Sequence, residues 1–91
     1  MKNLNKALLL TRLAITYQKH GCGDAFVNYY GHIQQICINL HDGPWKRDQD
    51  FIRLEIYLNG VLYDEEKYNK ALNFLNECIN AKKLLNYENN N

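Results

Sequence analysis

At 91 residues, with Lys+Arg 11, Asp+Glu 10 and 46% hydrophobic residues, the chain is one small domain with one modest core. The net charge of +1 excludes an acidic nucleic-acid mimic and a polybasic tail protein, and the apolar content excludes a low-hydrophobicity disordered chain. Serine is absent and threonine occurs only at Thr11 and Thr16, which removes a serine nucleophile, a Walker loop and a Gly-rich dinucleotide loop.

Residues 3–20 read as a helix of good formers closed by Gly21. Lys2 and Lys6 ahead of Ala7-Leu8-Leu9-Leu10 look like the opening of a signal peptide. Arg12 interrupts that apolar run, and Lys19-His20 stand where a small-residue cleavage site belongs, so the expectation is an unsecreted, cytoplasmic chain. No run approaches the ~20 apolar residues that span a bilayer, so no membrane partner is expected. On a helical wheel Leu4, Leu8 and Ile15 share one side, while Leu10, Leu13 and Tyr17 share another. Such a helix is buried on more than one face or pairs with a partner, a homodimer through this first helix included. It also carries Lys2, Lys6, Arg12 and Lys19 and no acid, which makes these four the candidate phosphate contacts.

The middle admits two readings. Phe26, Tyr29, Ile33, Ile36 and Leu40 fit a heptad, which would make residues 25–41 a helix and the chain an all-α four-helix arrangement. As a strand, Ile36, Ile38 and Leu40 face one way and Gln35, Cys37, Asn39 and His41 the other. The next segment favours the strand. Ile52, Leu54, Ile56 and Leu58 alternate with Arg53, Glu55 and Tyr57, and a helix would put Glu55 among apolar side chains. Setting Leu40 against Ile52, Ile38 against Leu54 and Ile36 against Ile56 segregates both faces in one register. Asn59-Gly60 before Val61-Leu62-Tyr63 predicts a type I′ hairpin with a short partner strand at 61–63. Residues 25–30, with Gly31 as a turn or bulge, are a candidate further strand.

Asp64 is a good N-cap for a final helix, with Glu65 and Glu66 in its first turn. Tyr68, Ala71, Leu72, Leu75, Cys78, Ile79 and Leu85 give its apolar stripe, and residues 87–91 are expected to fray as a tail beyond a globular 1–86. The expected fold is therefore α+β, ordered α-β-β-β-α. An antiparallel sheet of three strands, or four with 25–30, carries two helices on one face.

Three cysteines, Cys22, Cys37 and Cys78, are read as reduced thiols. His20, Cys22, His32, Cys37 and His41 lack the paired spacing of a zinc site, so no metal or other cofactor is expected. Cys22 near a helix C-terminus has the wrong end of the dipole for a thiolate, and no catalytic residue is assigned. The order α-β-β-β-α is similar to that of the double-stranded-RNA-binding domain. That family opens its last helix with Lys-Lys-x-Ala-Lys, and Asp64-Glu65-Glu66-Lys67 stands there instead, so the likeness is one of topology.

The stretch 42–50 holds the only Trp and the only Pro, with Lys46 and Arg47 beside them. Trp45, Lys46 and Arg47, continued by Arg53, Tyr57 and His41 on the outer sheet face, form the candidate partner-binding set. Gly31-His32-Ile33, a strand and then Gly43-Pro44-Trp45 resembles small phage or prophage accessory proteins over roughly residues 26–58. That resemblance implies no activity and no functional residue. The resulting expectation is a non-enzymatic protein-binding module, a phage- or mobile-element-encoded modulator or inhibitor of a host protein. Its rival is a small nucleic-acid-binding domain using the basic first helix and the 42–50 stretch.

Overall fold

The middle of the chain is sheet, not helix. The computed structural model describes residues 4–43, 46–47, 50–60 and 62–89. Its elements are α1 (Leu4–Lys19), β1 (Ala25–Tyr30), β2 (Gln35–Leu40), β3 (Ile52–Tyr57) and α2 (Glu65–Asn89). The strands lie in the order β1-β2-β3, antiparallel throughout. Leu40 faces Ile52, Ile38 faces Leu54 and Ile36 faces Ile56, the register set by segregating both faces. On the other side of β2, Val27 faces Ile38 and Tyr29 faces Ile36.

Residues directly opposite share a sheet face, so β2 and β3 present one apolar surface. Ala7, Leu10, Ala14 and Tyr17 of α1 pack on it, together with Tyr68, Ala71, Leu75 and Ile79 of α2, in a single core. Both helices therefore lie on one side of the sheet. The fold is α+β with the expected α-β-β-β-α order, and the four-helix alternative is excluded.

Two details differ from the sequence reading. The hairpin partner at 61–63 is absent among the described residues: Leu62 and Tyr63 form no strand. Gly60 does adopt positive φ (80°), but Tyr63 N–H then closes a turn on Gly60 O at 3.2 Å, and the chain enters α2. Asp64 draws it there, taking Lys67 N–H on Oδ1 at 3.2 Å and Tyr68 N–H on its carbonyl at 3.1 Å. The third strand is instead 25–30. The second detail is α2 itself, which continues to Asn89 through the start of the expected tail, with no Gly or Pro in it to stop it.

The link from α1 to β1 is the tightest junction. Gly21 (φ 81°) ends α1, with Cys22 N–H donating to Tyr17 O at 3.1 Å. Gly23 then forms a parallel bridge to Gly43, while Asp24 N–H donates to Gly43 O at 3.0 Å. Tyr17 reaches across, its buried hydroxyl donating to His41 O at 2.9 Å. Burial first, then the neighbouring Cys78, Cys22 and Asp42, pushes the Tyr17 phenol up from 10.0 to about 12.

The fold favours the neutral phenol, so this contribution to stability is complete below about pH 10 and is lost as pH rises toward about 12. Tyr17→Phe is expected to melt lower at neutral pH by about 1–2 kcal/mol of stability, since His41 O loses its donor. Between pH 10 and 12 its melting temperature should fall less steeply than that of the parent; equal slopes would remove Tyr17 as the source.

Candidate protein-docking face

Neither helix covers the second face of the sheet. It is built of even positions on β1 and odd positions on β2 and β3, in three rows. These are Phe26–Asn39–Arg53, Asn28–Cys37–Glu55 and Tyr30–Gln35–Tyr57. The centre is nevertheless closed. Gln35 and Cys37 are buried by flanking side chains, with the Cys37 thiol directed at Asn39 Oδ1, 3.9 Å away. The margins are open: Phe26 and Tyr30 are exposed on β1, and Phe51 is exposed just before β3. Arg53 Nε donates to Glu55 Oε1 at 2.5 Å along β3, with both side chains roughly half exposed.

His41 lies at one end of this face, as its parity requires, but its ring is not part of the surface. It is 5% exposed, set edge-on to Phe26 at 5.5 Å and tilted against Phe51 at 5.2 Å. The two phenyl rings close over it, so the residues that meet a partner there are Phe26 and Phe51. Parity alone would have found both, once 25–30 was taken as a strand and the alternation of β3 carried back one residue. Lys46 and Arg47 are exposed, Arg53 stands on the outer face and Tyr57 is half-buried against Gln35. Trp45 lies outside the described residues.

The basic residues of α1 do not act as one patch. Lys6 donates to the Tyr63 hydroxyl, and its Nζ sits 4.5 Å from the Tyr63 ring centre and 4.9 Å from that of Tyr68. It is thus turned toward the start of α2. Arg12 and Lys19, seven positions apart on one side of α1, are exposed. Lys2 lies outside the described residues.

A groove of about 280 Å3 runs between α1 and α2, lined by Tyr17, Cys22, Asp42, Cys78 and Lys82 among others. The Cys22 thiol donates to Cys78 O at 3.5 Å. Burial raises both thiols above their ordinary range, and each is a protonated thiol at neutral pH, a poor nucleophile. Among the described residues no three His, Cys, Asp or Glu side chains come together so as to hold a metal ion. No helix among them is long and apolar enough to cross a membrane. Comparison with protein-family models, with curated proteins and with solved structures gives no match for this chain.

Proposed function

We propose that the chain is a non-enzymatic cytoplasmic protein-binding module that docks on a larger protein through its outer sheet face and the adjoining 42–50 stretch. The resemblance noted in residues 26–58 makes a phage- or mobile-element-encoded modulator or inhibitor the favoured kind. One observation carries the reading: a flat face with a packed centre displays Phe26, Tyr30 and Phe51 at its margins with Arg53 beside them. Aromatic and arginine side chains on a rigid platform are what protein interfaces use as anchors. The sheet is held from behind by both helices, so it offers that surface without ordering cost.

Tyr30→Ala with Arg53→Ala, and separately Trp45→Ala with Arg47→Ala, are expected to abolish capture of a partner from native-host lysate while leaving the melting temperature unchanged. Capture that survives both pairs would overturn the reading, and a lowered melt would assign those side chains to the fold. The nucleic-acid alternative rests on exposed Arg12 and Lys19 with Lys46 and Arg47. It requires affinity that falls steeply with salt.

A further inference from the structure

β1 is an open sheet edge with none of the usual protection. Proteins blunt such edges with charge, proline or a bulge. Ala25-Phe26-Val27-Asn28-Tyr29-Tyr30 contains no charge, no proline and no glycine. The opposite edge differs: β3 carries Arg53 and Glu55, and Lys67 and Lys70 of α2 line the groove beside it.

The hydrogen-bond phase shows which groups β1 turns outward. His41 N–H donates to Asp24 O at 2.9 Å, so Asp24, Phe26, Asn28 and Tyr30 are the positions that bond toward β2. Ala25, Val27 and Tyr29 then point their N–H and C=O groups away from the sheet. Ala25 N–H bears this out, donating to Gln18 Oε1 of α1 at 3.3 Å. Val27 and Tyr29 are left to present a donor and an acceptor each at the edge.

The layer above has the same character. A groove of about 220 Å3 follows the edge, lined by Leu4, Ala7, Leu8, Thr11, Val27 and Tyr29. Leu8 is 58% and Ile15 61% exposed on this side of α1. The second apolar side of the helix is thus uncovered next to the uncovered strand.

We propose that β1 pairs antiparallel with β1 of a second copy, giving a two-fold symmetric, six-stranded sheet with the two α1 helices side by side. The strand selects its own register. A dyad normal to the sheet pairs only residues on the same face, and centring it on Asn28 sets Val27 against Tyr29 of the second copy, and Tyr29 against Val27. Those are the residues whose backbone groups face outward, so both are fully bonded. On the outer face Phe26 then meets Tyr30, an aromatic cross-strand pair, and Asn28 meets its symmetry mate. Centring on Val27 would instead set Ala25 against Tyr29 and compete with the Gln18 bond.

A charge-free strand is complementary to itself in this arrangement, as an isologous interface requires. Strands about 4.8 Å apart, with α1 over β1 and β2, place the two helix axes about 10 Å apart, near the 8–10 Å of packed helices. Leu4 and Leu8 would fill that gap. The pairing uses only the β1 margin of the outer face. It leaves Phe51 and Arg53 on the β3 side open in both copies, so dimer formation and docking from that side are separable.

Light scattering across a dilution series is expected to show twice the 10.8 kDa chain mass at the upper concentrations. Asn28→Lys sets two like charges opposite each other at the dyad. It should raise the dissociation constant about tenfold or more, without lowering the melt of the monomer. Asn28→Cys is made together with Cys37→Ala, which removes the thiol directly opposite residue 28 in the same chain. With oxidised glutathione as electron acceptor it should run as a cross-linked dimer on a non-reducing gel, under conditions where Cys37→Ala alone does not. A parent that stays monomeric throughout, a dimer indifferent to Asn28→Lys, or a dimer that the Asn28→Cys, Cys37→Ala chain fails to cross-link would each overturn the proposal.

Discussion

Gly23→Ala is expected to lower stability by about 3 kcal/mol or more, roughly 12–24 °C in melting temperature for a domain of this size. A Cβ on Gly23 would stand 1.7 Å from His41 O and 2.7 Å from Gly43 N. Both are backbone atoms, so no side chain can swing aside; the α1–β1 link or the end of β2 must move. Movement there breaks the Gly23–Gly43 bridge and pulls His41 O from the Tyr17 hydroxyl. Gly43 and Gly60 provide the control. Each has positive φ but nothing within 4 Å of an added Cβ, so alanine costs only the left-handed backbone term, about 1–2 kcal/mol. Thermal melts of the three variants check the order, and a Gly23→Ala melt no lower than the other two would contradict the packing at this junction.

Ile38→Ala should cost about 3 kcal/mol, within the usual 2–5 for a large-to-small core change. Ile38 is fully buried at the centre of β2, between Val27 and Leu54 and beneath the helices. Neither helix can collapse into the gap without leaving its other contacts, so most of the cavity persists. Ile33→Ala, on an exposed side chain in the β1–β2 turn, should stay within about 0.5 kcal/mol. Urea unfolding measures both, and equal midpoints would mean that Ile38 does not face the core.

The β2–β3 register was legible because alternation runs through both strands and the two faces segregate in one alignment. β1 was harder to see: it has a single β-branched residue, Val27, and its Phe26 and Tyr29 also fit a helical heptad. Asn59-Gly60 misdirected for a local reason. The turn is real, but Asp64 caps a helix four residues later, and that signal takes the chain away from the β3 edge. At the candidate face, parity placed His41 and Arg53 on the right side. It could not say that Phe26 and Phe51 would close over the imidazole, because burial on an open sheet face depends on neighbours brought in by register. The second apolar side of α1 was visible on the wheel as Leu4, Leu8 and Ile15. That it lies beside an unprotected strand edge is a product of the fold.

The most direct test of docking through the outer sheet face is site-specific photocross-linking in native-host lysate. A photoreactive phenylalanine analogue at Phe51, on the β3 side of that face and away from the β1 edge, should give an adduct with a single protein other than the chain itself, competed away by unlabelled chain. The same group at Lys83, on α2 behind the sheet, should give none. No such adduct from Phe51, or equal adducts from both positions, would contradict the account.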